Sequence, residues 1–359
     1  MVSWTTRLYQ QNDEYAITEL FKLVFEQDMP IERWRWQYLD NPLKWVAILL
    51  AEADDKRLVG QYALCPLPMK IGDRDIVGAL SLDTMVHPDF RGQGLFTALA
   101  KELYDRIARE GVPIVYGFPN EQSHSGFVKR LQWIDLCDDL PVYVRPLNFA
   151  KLLDRLVPVR LLAHVGSSIA ELGYRVARGP RGVAQASSQV TLVSEFDERV
   201  DDLWYQARDI APILIRRQRN YLNWRYASHP EHHYKILVVE DDDRISGYAV
   251  LGQHVVDDLL VGFVMDLLVE PGSVDVVDLL LEEVVAHAKG EGCDLISCLM
   301  LAHSPYVQGL KRQGFVRAPA SLIPQEIYLG ARNNSSDLPD RLIHSSSNWY
   351  VTWGDHDRI

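Results

Sequence analysis

The stretch Asp83-Thr84-Met85-Val86-His87-Pro88-Asp89-Phe90-Arg91-Gly92-Gln93-Gly94-Leu95-Phe96 is the part of this sequence best equipped for chemistry. It begins as a strand that Pro88 must stop, because proline cannot donate to a ladder. It ends in a segment where Leu95, Leu99, Leu103 and Ile107 recur every four residues, the apolar stripe of a helix closed by Gly111. A helix start exposes unpaired backbone N–H groups and a partial positive charge, which suits it to a pyrophosphate. Gly92 and Gly94 remove Cβ atoms that would hold phosphates away, and Arg91 adds a cation at the rim. Several oriented amides share the negative charge, so no metal is needed. If the strand splays from its neighbour over Pro113–Phe118, the backbone of Met85 and Val86 can hydrogen-bond an extended, amide-bearing ligand as though it were an added strand. Pantetheine is such a ligand. The pattern is not the GxGxxG dinucleotide fingerprint, which also wants a parallel βαβ unit and a downstream acid.

The elements that must position this loop occur twice. Trp36-Gln37-Tyr38 is answered by Trp224-Arg225-Tyr226, 188 positions on, and Gly60 by Gly247, 187 on. Asp83 through Pro88 is answered by Asp266 through Pro271 at 183, and Lys129-Arg130 by Lys311-Arg312 at 182. Four matches in one order with a slowly drifting offset indicate a tandem duplication. In the first copy, strands are expected over 44–53, 58–65 and 79–86, a helix over 95–108, a strand over 113–118 and a short helix over 125–131. In the second, the counterparts are 234–240, 245–251, 261–269, 274–289, 295–301 and 306–313. Strands, then helix, strand and helix, predict a mixed α/β (α+β) class with two tandem units, each a mostly antiparallel mixed sheet with flanking helices. The expected division is 1–148, a helical connector and linker at 149–190, and 191–359. The Asn/Ser-rich stretch from Ala331 to Asp337 reads as a loop, and Asn348–Gly354 as a docked strand.

Residues Val86-His87-Pro88-Asp89-Phe90-Arg91-Gly92-Gln93-Gly94-Leu95 resemble the acyl-coenzyme A motif of the GNAT superfamily, V-x-P-x-x-R/Q-x-x-G-x-G/A. Asn120-Glu121-Gln122-Ser123 followed by Phe127-Val128-Lys129-Arg130-Leu131-Gln132-Trp133 resembles its later motif. The resemblance covers about residues 30–140 well and 220–317 weakly. The paired arrangement is similar to the two-GNAT family that includes bacterial aminoglycoside-acetylating enzymes, without a third domain after residue 320. It implies an N-acyltransferase, with acetyl-coenzyme A as acyl donor and no metal. It implies that Val86 holds pantetheine through its backbone, next to Met85 of the splayed strand, and that Arg91, Gly92, Gln93, Gly94, Leu95 and Phe96 hold the pyrophosphate. Asn120 and Ser123 would lie along the cofactor. Three positions depart from the family pattern: Phe96 stands where Gly or Ala is usual, Val128 where many relatives carry the tyrosine that protonates the leaving thiolate, and Gln132 where Gly is usual. In the second copy the loop is lost, since Gly272-Ser273-Val274-Asp275 has neither the arginine nor the second glycine.

Direct acyl transfer to an amine needs a base. Asp83, one strand period before Met85, is the first candidate, although Asp266 at the equivalent place of the second copy also fits a plain strand-end carboxylate. His124 is the second. Trp34, Trp36 and Tyr38 read as core packing, His232-His233 as a solvated turn, and Arg216-Arg217-Gln218-Arg219 as a solvated face.

Composition bounds the partners. At 359 residues, 47% hydrophobic and 24% charged, the chain is globular, and 37 basic against 49 acidic side chains, net −12, argue against nucleic acid. Cys65, Cys137, Cys293 and Cys298 match no zinc or redox spacing and read as buried thiols in a reducing, cytoplasmic setting. No apolar run approaches the roughly 20 residues that span a bilayer. The acceptor expected is a small-molecule amine. The competing expectation is a non-catalytic module that binds or senses coenzyme A.

Overall fold

The computed structural model describes residues 3–156, 189–241, 243–318 and 327–356. In the first part of the chain the order is β1 (Trp4–Leu8), α1 (Asp13–Phe25), α2 (Ile31–Tyr38), β2 (Ala47–Ala53), β3 (Leu58–Ile71), β4 (Arg74–Val86), α3 (Leu95–Arg109), β5 (Ile114–Gly117), α4 (Glu121–Leu131), β6 (Ile134–Asp135), β7 (Val142–Pro146) and α5 (Phe149–Leu156). After it come β8 (Gln189–Val193), α6 (Arg199–Ala207), β9 (Ile213–Ile215), α7 (Arg219–Leu222), β10 (Lys235–Asp241), β11 (Arg244–Val256) and β12 (Leu259–Val269). The remainder is α8 (Val274–Gly290), β13 (Leu295–Leu299), α9 (Val307–Arg312), β14 (Val316–Arg317), β15 (Gly330–Asn333) and α10 (Asp340–Ile343).

The class is mixed α/β, with two mixed sheets and flanking helices. One sheet has the order β1-β2-β3-β4-β5-β15-β6, with β9 on the far end of β3; the other runs β14-β7-β13-β12-β11-β10-β8. All ladders are antiparallel except β4 with β5 and β12 with β13. The sheets exchange strands. β7 pairs with β13 and β14 in the second sheet, while β15 returns to lie between β5 and β6 in the first. The stretch from Ala331, expected as a loop, is therefore a strand through Asn333. Its composition is poor for a strand, but pairing on both edges outweighs local propensity.

The first sheet is covered on both faces. Leu95, Leu99, Leu103 and Ile107 of α3 are all buried on one face with Val59, Tyr62 and Leu64. On the other face α1, α2 and the second part of the chain close over Leu50, Cys65, Leu67 and Leu80. Gly60 permits the close approach of α3, since a Cβ there would lie 2.9 Å from Leu95 Cδ2 and 3.1 Å from Leu99 Cδ1. Gly247, its partner in the repeat, does the same for α8, with Val276 Cγ1 at 2.9 Å. The repeat is also physical contact. Trp36 and Trp224 stack at 4.8 Å and 15°, and each indole donates to the other's carbonyl at 2.8 and 2.9 Å.

Three expectations are corrected. Arg217 is fully buried, 0% exposed, and not on a solvated face. Of the His232-His233 pair, His233 is exposed as expected, but His232 is half-buried against His229 and His254. Asn348–Gly354 is docked, but by helical turns and a single bridge from Trp349 to Ile213. The predicted connector at 149–190 falls largely on 157–188, outside the described residues.

Candidate active site

The site begins where β4 and β5 part. Their parallel pairing runs from Ala79 with Val115 to Ser81 with Gly117 and stops there. Beyond it, β4 continues to Val86 while the other chain turns through Phe118, Pro119 and Asn120 into α4. Two local features force the split. Opposite Tyr62 the ladder with β3 slips by one residue at Asp83 and Thr84, where Asp83 takes a left-handed φ of 45°, so β4 bends as strands do at a bulge. Pro119 has no N–H with which to extend the β5 ladder.

At the end of β4, Pro88–Phe90 make a single 3₁₀ turn and residues 91–94 lead into α3. Gly92 and Gly94 have φ of 75° and 81°, and no atom lies within 4 Å of where a Cβ would stand on either. The corner is open, not filled by side chains. Among the described residues, the amides of Gly92 to Thr97 have no backbone acceptor; the first helical bond here runs from Ala98 N to Gly94 O. Arg91 Nε reaches Val86 O at 3.4 Å and Gln93 Nε2 reaches Asp89 O at 3.1 Å, which ties the loop to its own stem. Met85 and Leu95 are buried, backbone included. Phe96 fits because α4 carries Gly126 opposite it: a Cβ at Gly126 would come within 2.9 Å of Phe96 Cε1, and Phe96 meets Phe127 edge-on at 5.3 Å. Asn120 caps α4, accepting from Ser123 N and Ser123 Oγ, both at 3.0 Å.

A cavity of about 1240 Å³ opens from this wedge to the space between the two parts of the chain. Val86, Arg91, Phe96, Asn120 and Ser123 line it on the α3 side. Asp83 faces it from the bulge. Its Oδ2 accepts from Tyr38 Oη at 2.7 Å and from Gln37 Nε2 at 2.9 Å, while Gln61 Nε2 donates to its carbonyl at 3.0 Å. Burial and then the Asp83 charge hold the Tyr38 hydroxyl well above the usual phenol range, so it stays a donor. His124 is elsewhere: it pairs with Asp135 at 2.9 Å, stacks on Tyr328 at 3.9 Å and does not line the cavity. Neither does Val128.

The second copy shows what the same carboxylate does in a structural role. Asp266 is 0% exposed and accepts from Tyr248 Oη at 3.1 Å and Tyr226 Oη at 3.3 Å, with Arg217 Nε at 3.4 Å. Burial raises its carboxyl above the usual range even against Arg217. At the offset that relates Trp36 to Trp224, Arg217 corresponds to Met29. The first copy keeps the tyrosine and the aspartate, drops the arginine and opens the carboxylate to a cavity. The groups around it carry no such signal in the sequence: Tyr38, expected as core packing, and Gln37 hold Asp83, and Gly354–His356 supply a wall. The alternation Trp34, Trp36, Tyr38 concealed a helix. The pairing of Tyr38/Asp83 with Tyr226/Asp266 was visible in the repeat.

The sequence of residues 5–134 matches the family model described as an acetyltransferase (GNAT) domain. No curated protein matches the chain in sequence. Solved structures share its fold. A GCN5-related N-acetyltransferase from Anabaena variabilis superposes with a TM-score of 0.65 at 13% identity, over 93% of this chain and 73% of that one. A probable N-acyltransferase of Enterococcus faecalis gives 0.65 at 12%, over 92% and 73%. Saccharomyces cerevisiae N-myristoyltransferase, solved with myristoyl-CoA, gives 0.60 at 13%, over 92% and 79%. Residues 5–134, the stretch that matches the acetyltransferase (GNAT) domain model, hold the bulged strand, the glycine-bounded helix start and Asp83.

Proposed function

We propose that the chain is an N-acyltransferase that moves an acetyl group from acetyl-coenzyme A to the amine of a small substrate, directly and without a covalent enzyme intermediate. The observation that carries the reading is the open, glycine-bounded cluster of amides at the head of α3, flanked by Arg91 and Phe96, which share one cavity with a carboxylate on the neighbouring bulge. Residues Arg91 to Phe96 hold the pyrophosphate, Met85 and Val86 the pantetheine by their backbones, and Asn120 and Ser123 border the arm. The bound thioester supplies an activated carbonyl. Asp83 takes the proton of the acceptor ammonium. His124 is not given this role, because Asp135 and Tyr328 occupy it outside the cavity. The acceptor enters from the face between the two parts of the chain, opposite α3.

We read the chain as a tandem pair, 1–148 with the donor site and 191–359 as a degenerate copy joined by 149–190. In the second copy the corresponding corner lacks the arginine and the second glycine and places Asp275 in the first turn of α8, an acid where a phosphate would sit. No helix among the described residues is long and apolar enough to cross a membrane. The second reading, a module that binds coenzyme A without turnover, is favoured by Val128. Calorimetric titration with acetyl-coenzyme A, followed by thiol release across a panel of primary amines, separates the two. Binding lost on Arg91→Glu or Gly94→Trp, with turnover on some amine, is the expected result. Binding without release on any amine supports the second reading, and no binding removes both.

A further inference from the structure

Residues Trp349–His356 reach the cavity from the second part of the chain and are fixed along their whole length. Trp349 lies 5.8 Å from the Tyr116 ring and donates its indole N–H to Ile343 O at 2.8 Å. Thr352 and Asp355 cap one another, and Asp355 Oδ2 accepts from Arg217 Nη2 at 2.6 Å. Arg225 clamps the end, donating from Nε to Gly354 O at 2.9 Å and from Nη2 to His356 O at 3.3 Å. A Cβ at Gly354 would collide with Tyr226 Oη and lie 2.8 Å from Met265 O, so the backbone is pressed against the second sheet at a place only glycine fills. The result is one fixed position for the His356 imidazole, 7% exposed, in the cavity wall.

That position is the throat of the wedge. The His356 ring stands 4.5 Å from the ring of Phe118 and 5.7 Å from Trp353. Phe118 is the first residue past the last β4–β5 pair, and Asp83 is the second residue past it on the facing strand. Two titratable groups from distant parts of the chain thus flank the opening on its acceptor side.

Acyl transfer to an ammonium removes two protons from nitrogen, and Asp83 accounts for one. Val128 stands where a tyrosine would supply the proton to sulfur, and it is away from the cavity. We propose that His356 is a further catalytic residue that carries the second proton from the acceptor nitrogen to the departing sulfur; this rests on the acyltransferase reading above. Asp83 first takes a proton from R–NH₃⁺, freeing the lone pair that forms the N–C bond to the thioester carbonyl. His356 then accepts a proton from the nitrogen, now positively charged. It delivers that proton to sulfur as the C–S bond breaks and sulfur keeps the bonding pair. N–C and S–H bonds form, C–S and N–H bonds break, His356 ends as it began, and Asp83 returns its proton to solvent. An imidazole suits the relay because it can accept on a ring nitrogen and then give the proton up.

The test uses the full chain labelled with ¹⁵N-histidine, the His356 resonance being assigned by its loss in His356→Gln. Saturation with acetyl-coenzyme A, and separately with coenzyme A, should shift that resonance; an unmoved signal at saturation overturns the proposal and needs no identified acceptor. With an accepted amine, His356→Gln should lower kcat about 100-fold while the acetyl-coenzyme A Kd stays within twofold. His356→Phe preserves the packing on Phe118 and should lose kcat equally, and added imidazole should restore at least tenfold to His356→Ala. Retained kcat in the folded His356→Phe protein would reduce the residue to packing and overturn the proposal. No heat on titrating the wild type removes the acyltransferase reading itself, whereas turnover with a silent His356 removes the relay alone.

Discussion

Gly92→Ala and Gly94→Ala isolate the helix-head cradle from every other feature of the site. Each glycine has a left-handed φ, 75° and 81°, and each has empty space within 4 Å of the added methyl. The substitution therefore meets no clash and costs only the backbone penalty of an L-residue in that region, about 1–2 kcal/mol. Nothing packs where either methyl would stand, and the loop's ties to its stem run through the Arg91 and Gln93 side chains, so in the free protein the variant relaxes to negative φ and avoids the cost. It must return to bind, because only the present conformation turns the amides outward. The penalty then appears in affinity, and about 1.4 kcal/mol per factor of ten converts it to a five- to thirtyfold rise in the acetyl-coenzyme A Kd. Gly72, in the hairpin between β3 and β4 with φ of 58° and the same empty surroundings, is the control: Gly72→Ala carries the same strain without the cradle. Calorimetric titration of the three variants measures the effect, with thermal melts alongside. Equal Kd values in all three, within twofold, would refute the role given to these amides.

Asp83→Asn should lower kcat at least 100-fold with the acetyl-coenzyme A Kd unchanged, and Tyr38→Phe, which removes one donor to the carboxylate, should cost less; steady-state kinetics with an accepted amine decides. Arg217→Met leaves Asp266 and Asp355 buried without their cation and should destabilise the fold by about 3–5 kcal/mol in urea unfolding, whereas Arg216→Met should cost under about 1 kcal/mol. His229 is held neutral: burial first, then Arg225, depresses it to about 2. Its stability contribution is therefore complete above the ordinary histidine range near pH 6.5 and is lost as pH falls towards 2, because the unfolded chain takes the proton and the folded one refuses it. His229→Gln should flatten the fall in Tm between pH 6.5 and pH 5. Asp294, whose burial is outweighed by bonds from Lys151, the Leu260 amide and Asn148, is held below the usual carboxylate range. It stabilises above that range and loses its effect as pH falls through its lowered value, so Asp294→Asn should cost most at neutral pH and little in strong acid.

The loop after β4 was legible because its chemistry is local: proline, arginine and two glycines have the same meaning in any fold. The repeat was legible for a different reason. Trp36/Trp224 and Asp83/Asp266 keep their spacing because they build matching corners of the two sheets. What escaped depends on distant partners. β15 is a strand because β5 and β6 each offer it an open edge, not because Gly330-Ala331-Arg332-Asn333 favours one. Arg217 looks like one of a charged run until Asp266 and Asp355 are placed around it. Trp34 and Tyr38 lie four apart on one helical face, with Trp36 turned to the other half, a pattern that on paper alternates like a strand. Phe96 departs from the family pattern, and its accommodation by Gly126 is invisible in the sequence because the two belong to different helices.

The strand exchange has a consequence for how the protein is made. β5 gains its second neighbour only when Gly330–Asn333 arrive, some two hundred residues later in the chain. A ribosome that has finished residues 83–123 has still left that sheet short of an inner strand, and it remains so until residues 330–333 have been made. Any product broken off earlier exposes the backbone edge of β5 beside the wedge, which invites chaperone capture or pairing with another nascent copy. Synthesis through Asn333 thereby becomes a condition for a complete first sheet.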